Sequence, residues 1–341
     1  MKLSLSQLAS HLQRPLAQVY VLHGDEPLLQ IEAAQAIRDA AAKVGFAERE
    51  VMVADSGFDW QSLVAVNQSL SLFGSRRILD LRIPTGKPGV EGARVLEAVG
   101  NSPSPDNVLL VSCPKLERAA LSSNWFAALE ASGVEIATPP LERDDLPAWI
   151  AGRLSCNGQR ATNEVLQYLA DLTEGNLLAA QQEIDKLALL LPKGDLALDA
   201  IEPVVANVAR YDNAELSEAV LSGDAPRVCR ILAGLEAEGE SVQFVLWQVT
   251  EDTHALLTIA QAAQTGQRVQ DALRNARVFG KRQQAMERAA RRVDGRALAA
   301  LLPDLARLDR VSKGIGKGDT WDDLRDYLLR FVRTLGERRA A

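Results

Sequence analysis

Between residues 18 and 140, short apolar runs alternate with stretches of helical spacing, and this alternation leaves few folds open. QVYVLHGD (18–25) is an apolar run ending in Gly24, the pattern of a buried strand feeding a turn. EPLLQIEAAQAIRDAAAKVG (26–45) repeats apolar residues at helical intervals and stops at Gly45. REVMVAD (49–55) predicts a second strand, and DWQSLVAVNQSLSLFGS (59–75) a helix with Asp59 as N-cap and Gly74 as its stop. RRILDLRIP (76–84), NVLLVSC (107–113) and VEIATPP (134–140) supply three more strands. Strands separated by helices imply a parallel sheet covered by helices. Residues 87–107, rich in Gly, Pro and Ser around one short helix, are expected to form a surface connection.

After the Pro139-Pro140 pair only helical spacing remains. DDLPAWIAGRL, with Asp145 as N-cap, TNEVLQYLADLTEGN, LLAAQQEIDKLALLLP and LDAIEPVVANVA predict four short helices, carrying six basic and eleven acidic residues between 142 and 210. From residue 211 onward the helices lengthen and glycines punctuate them. The expected architecture is α/β plus all-α, divided as 1–140 (parallel sheet with helices), 141–210 (small helical domain) and 211–341 (helical domain). A strand-poor bundle with broad apolar faces often buries them against partners.

A length of 341 residues calls for two or three domains, and 47% hydrophobic with 24% charged residues fits a globular chain with real cores. The net charge of -7 excludes a polycation built to coat nucleic acid. Cys113, Cys156 and Cys229 are too scattered for a disulfide framework or a zinc site and suit a reducing cytosol. No apolar run reaches transmembrane length, and MKLSLSQLASHLQRPL is too polar for a signal peptide; a cytoplasmic, non-membrane protein is expected.

The end of the first strand is where a nucleotide-binding loop would sit. A phosphate loop needs G-x-x-x-x-G-K-[ST], whose amides and lysine hold the phosphates. HGDEPLLQ has one glycine, no lysine, and carboxylates at Asp25 and Glu26 that repel anions. GIGKGD, around Lys317, has the wrong glycine spacing. Without a phosphate loop, Asp80 in RRILDL is expected to be a solvent-facing strand residue. His11, His23 and His254 lack metal-ligand spacing, and His23 is expected to be structural or exposed. Acid pairs Asp144-Asp145 and Asp322-Asp323 suit helix N-termini. No catalytic, cofactor or metal site is visible, which points to a binding or mechanical role.

Four stretches then resemble one family. VYVLHGDEPLLQIEAAQAIR, LSLFGSRRILDLRIP and EGNLLAAQQEIDKLALL are similar, in order and spacing, to segments of the delta subunits of bacterial DNA polymerase III clamp loaders, and ARVFGKRQQAMERAARR resembles a basic stretch of their third domain. The WFAAL segment (125–129) is closest to the gamma-proteobacterial type. The resemblance implies an AAA+-like first domain without ATP binding, a small lid domain and a C-terminal collar. It implies no activity from this chain alone, but membership of a DNA-directed DNA polymerase (nucleotidyltransferase) holoenzyme. Partners would be the sliding clamp (beta), the gamma/tau and delta prime subunits, and primer-template DNA through the assembled complex. Leu72 and Phe73 match the family's clamp-opening pair, and Leu70 an apolar position just before it.

The residues alone leave two readings of that pair. Leu63, Val66 and Leu70 can line the buried face of the helix that Asp59 begins. Leu72 and Phe73, at its end, are either an exposed anchor or ordinary core; the resemblance favours the anchor. Gly175 of the EGN motif is expected to need a permissive backbone, and Glu183 with Lys186 an i, i+3 pair. Residues 268–296 carry nine basic and three acidic side chains, either a solvated face or a contact for DNA or an acidic partner. An active AAA+ ATPase and a nucleic-acid-binding module are the competing function classes.

Overall fold

The computed structural model describes residues 1–68, 76–206, 208–279 and 281–336. They form two compact units: Met1–Ala170 with Leu177–Ala206, and Asp171–Asn176 with Asn207–Ala341.

The first unit begins with β1 (Lys2–Leu3), α1 (Leu5–His11), β2 (Val19–His23), α2 (Pro27–Lys43), β3 (Phe46–Val53), α3 (Trp60–Gln68), β4 (Arg76–Arg82) and α4 (Gly89–Asn101). β5 (Asn107–Cys113), α5 (Arg118–Leu121), α6 (Asn124–Ser132) and β6 (Val134–Ala137) follow. The six strands make one sheet in the order β1-β6-β2-β5-β4-β3, every pair parallel. The expected strands are all present, and β1 with α1 adds an edge that the sequence pattern did not reveal. Period-two alternation divides the strand residues between two cores. Val19, Val21, Leu79, Leu81, Leu109 and Val111 pack with Trp60, Leu63, Leu96, Phe126 and Leu129. Tyr20, Leu22, Ile78, Val108, Leu110 and Ile136 pack with Ala33, Ile37 and Ala41 of α2. A sheet buried on both faces accounts for the near-continuous apolar runs.

Two expectations for this region are corrected. Residues 87–107 are not a surface connection: α4 runs thirteen residues and buries Val95, Leu96 and Val99. Its glycines, which mimic a loop composition, are there for packing. A Cβ on Gly92 would lie 2.4 Å from the Trp60 ring, and one on Gly100 would lie 2.8 Å from the Ala128 backbone of α6. Asp80 is not solvent-facing but 1% exposed, on the α2 face of β4 where the alternation calls for an apolar side chain. Burying a carboxylate demands partners. Arg38 of α2 (3.3 Å), Arg49 of β3 (2.6 Å) and Arg82 (3.5 Å) supply them.

The chain continues through a 3-10 turn (Arg143–Asp145), α7 (Leu146–Cys156), β7 (Gln159–Ala161), α8 (Asn163–Thr173), α9 (Leu177–Leu190), β8 (Gly194–Leu196) and α10 (Leu198–Ile201). Asp145 stands at the N-cap of α7 without a side-chain capping bond. Helices alone were expected here, but β7 and β8 form a two-stranded parallel sheet. Three-residue strands are too short to show a period. The buried Gln159 amide ties β7 to α9, donating to the Leu187 carbonyl at 3.1 Å. The bonds of Glu183 go beyond its expected pair: it meets Lys186 at 2.6 Å and also accepts the Ala206 N–H at 3.1 Å.

The second unit contains α11 (Asn213–Ser222), α12 (Ala225–Ala237), α13 (Val242–Gln264), α14 (Val269–Asn275), α15 (Lys281–Ala290), α16 (Gly295–Ala299), α17 (Leu302–Ser312) and α18 (Thr320–Thr334). α16 and α17 are separate helices, and Pro303 occupies the first turn of α17, where its missing N–H costs nothing. α13 is the axis, packing on α11 and on α14 through α18. Its buried Thr253 hydroxyl shares a 2.9 Å hydrogen bond with Tyr327 of α18. Arg227 of α12 reaches Glu174 at 2.6 Å, both buried. Gly175 has φ 72°, and a Cβ there would lie 2.0 Å from the Arg210 carbonyl, so the permissive backbone is required. Among the described residues no helix is long and apolar enough to cross a membrane.

Removing Asp80 leaves three cations around an empty buried site. Arg49 and Arg82 are half-exposed and can rehydrate; Arg38, 15% exposed, cannot. Asp80→Ala is expected to cost about 3 kcal/mol of unfolding free energy, with Asp80→Asn losing less because it keeps an acceptor. Urea denaturation of both variants checks this, and a loss below about 0.5 kcal/mol for Asp80→Ala would show the cluster to be solvated.

Candidate functional site

Leu70, Leu72 and Phe73 lie outside the described residues, in the connection between α3 and β4. What is described is the frame at both ends of that connection. Asp59 starts α3 by accepting the Gln61 N–H at 3.0 Å, and Leu63 is fully buried beneath the helix with Val66 packed beside it. At the other end of α3, Asn107, 4% exposed at the start of β5, donates its side-chain amide to the Asn67 carbonyl at 3.1 Å. That bond ties the last described turn of α3 to the start of β5. β4 begins with the Arg76 guanidinium 5.5 Å over the Phe46 ring. The Arg77 N–H donates to the Asp106 carbonyl at 3.2 Å. Both ends of the connection are therefore fixed to the sheet.

The turn after β2 is the second place where chemistry was sought. Gly24 has φ 155°, and a Cβ there would fall 2.0 Å from the Thr138 carbonyl, so the chain passes directly against the end of β6. The Thr138 carbonyl accepts the Glu26 N–H at 3.2 Å. The N-terminus of α2, whose free N–H groups and dipole would favour an anionic ligand, is capped by the chain itself: Glu26 accepts the Leu28 N–H at 3.3 Å. Burial pushes the Glu26 carboxyl up, against the opposing pull of that N–H. Asp25 pairs with Lys115 at 3.1 Å, and Gln30 donates to the Cys113 carbonyl at 2.8 Å. Asp25 and Glu26, singled out in the sequence as repelling phosphates, are thus both engaged within the protein.

Several of the remaining candidates make internal contacts. His23 is buried, 3.0 Å from Glu135 and edge-on to Phe126. Of the basic stretch, Arg282 pairs with the buried Asp252, Arg291 with Glu287 (2.6 Å), and Arg292 donates to the Leu221 carbonyl at the end of α11 (3.0 Å). No group of three or more His, Cys, Asp or Glu suited to a metal ion occurs among the described residues. One feature the sequence reading missed is the pair Phe244 and Trp247 on α13, both about half-exposed and stacked on each other. The signal was present in FVLW, an apolar run too wide for one buried stripe.

A sequence profile described as "DNA polymerase III, delta subunit" matches residues 20–137. DNA polymerase III subunit delta of Escherichia coli K12 is 31% identical over 327 residues, 95% of this chain and 94% of that protein. The Haemophilus influenzae subunit delta is 28% identical over 337 residues, 95% and 97% of the two chains. Among solved structures, the Bacillus subtilis DNA clamp loader delta protein superposes with a TM-score of 0.52 at 20% identity, covering 96% of this chain and 99% of that one. It supports the fold: a parallel sheet covered by helices and followed by further helices.

The frame at the end of α3 makes a measurable contribution. Asn107→Ala leaves the Asn67 carbonyl without its buried donor and is expected to cost about 1–2 kcal/mol in denaturant unfolding. Amide exchange should quicken most in the last turn of α3.

Proposed function

The chain belongs to the DNA polymerase III delta subunit family and is a clamp-loader subunit of DNA replication; we propose that it binds the sliding clamp and holds it open while the loader places it on primed DNA. The observation that carries this reading is the likeness to the Escherichia coli subunit, which runs through almost the whole of both chains. Leu72 and Phe73, with Leu70 before them, are the clamp-binding residues in this proposal. Their setting suits the task, since the segment that carries them leaves α3 and enters β4 at two fixed ends. Docking an apolar pair into a pocket of the clamp shifts the ring toward the open form by the difference in affinity for its two states.

In this reading residues 1–140 contact the clamp, 141–210 form the lid, and 211–341 form the collar that joins the gamma/tau and delta prime subunits. Primer-template DNA is met through the assembled complex, in the cytoplasm. The chain itself performs no chemistry: the Glu26 carboxylate, which caps the N-terminus of α2, disfavours a phosphate there, and sister subunits supply the ATP-driven motion.

Two measurements test the proposal. Isothermal calorimetry of the purified chain with Mg-ATP should give no binding and a phosphate-release assay no turnover; micromolar binding would restore the active ATPase reading. Leu72→Ala with Phe73→Ala should abolish clamp binding. Each buried anchor is worth roughly 1.5–3 kcal/mol, so losing both lowers affinity by about two to four decades. The melting temperature should stay near that of the parent. A large melting shift with clamp affinity kept in the folded fraction would instead place the pair in the core.

A further inference from the structure

α13 is seated in the second unit by Val245, Leu246, Val249, Leu256 and Ile259, all buried. Its opposite side carries Phe244, Trp247, Glu251 and His254 at helical intervals, all exposed. Phe244 is 51% and Trp247 54% exposed, and their rings stack with centroids 5.8 Å apart and planes 11° from parallel. The Gln243 side chain donates to the Ser312 carbonyl at 2.9 Å, tying the same end of α13 to the turn in which Ile315 is 73% exposed.

Two stacked aromatics held on a rigid helix offer a large contact area with little rotamer entropy left to lose. Exposed Trp and Phe of this kind are the residues enriched at interface centres.

The surrounding charge says what kind of surface would cover them. Between Arg230 and Arg268 the chain has no lysine or arginine and five acids: Glu236, Glu238, Glu240, Glu251 and Asp252. Glu236 meets Arg325 at 3.4 Å, Asp252 is buried against Arg282 and the exposed Glu251 also faces that guanidinium, whereas Glu238 and Glu240 are exposed. On the neighbouring turn Lys313 is held by Asp309 at 2.7 Å, while Arg310 and Lys317 are exposed on either side of Ile315, so the acidic fringe lies on the α12–α13 side of the stack. An apolar aromatic centre with an acidic fringe fits a basic protein surface, with an arginine able to lie over the rings. It does not fit single-stranded nucleic acid, whose bases would stack but whose phosphates the fringe repels.

We infer that the Phe244–Trp247 stack anchors a protein–protein interface with a basic, arginine-bearing surface, provided by a neighbouring subunit of the loader. This rests on the assembly role proposed above for residues 211–341.

The test measures binding of the full chain to purified sister subunits and, separately, to the sliding clamp. Trp247→Ala should weaken sister-subunit binding roughly 30-fold or more, the level of a hot-spot truncation, and Trp247→Phe should restore most of it. Glu238→Lys with Glu240→Lys should also weaken it, and clamp affinity and melting temperature should stay at the parental values in all three variants. Parental sister-subunit binding by Trp247→Ala overturns the anchor. So does quenching of Trp247 fluorescence by single-stranded DNA with subunit binding unaffected by the substitution. If the parent chain itself binds no sister subunit, the assembly role fails and the anchor with it.

Discussion

Everything in the first unit follows from one requirement: a parallel sheet exposes two apolar faces, and both must be covered. α1 and α2 close one side, and α3, α4 and α6 the other. The two sides are built differently. On the α2 side, small residues of α2 lie against the strands, and a carboxylate with three arginines replaces one apolar position. On the other side, α4 can approach α6 and Trp60 only because glycines stand at positions 92 and 100. The described part of α3 takes its placement from this second layer, pinned by Leu63 below and by Asn107 beside Asn67.

The layout was legible in the sequence where burial is two-sided and the runs are long. β2 and β5 announce themselves through unbroken apolar stretches, and α2 through its period and its closing glycine. Legibility failed where a residue's reason lies in another element. The glycines of α4 carry a loop signature until the ring and backbone they accommodate are known. Asp80 looks like a surface residue until Arg38, 42 positions earlier in another element, is placed over it. β7 and β8 are too short for any period, and their pairing is visible only in space. At the candidate site, the sequence supplied Leu70, Leu72 and Phe73 through family likeness. The frame that would present them, Asn107 above all, carries no local signal because its partner is forty residues away.

The turn after β2 and the apolar segment after α3 suggest one division of labour. At the turn the protein uses its own carboxylate and carbonyl groups to satisfy a helix N-terminus that could otherwise hold an anion. What remains for a partner is shape and apolar contact rather than reactive groups. The aromatic stack on α13 has the same character in the second unit: a rigid presentation of surface, with nothing titratable at its centre.

The Asp80 cluster also has a consequence on the timescale of descent. Its four charges are coupled, so the fitness of any one substitution depends on the other three. A lineage that replaced the carboxylate first would strand its cations, and one that replaced Arg38 first would expose the carboxylate to an apolar layer. Single steps are therefore blocked in either order, and a charged quartet in the middle of this face should persist or vanish as a block rather than erode one residue at a time.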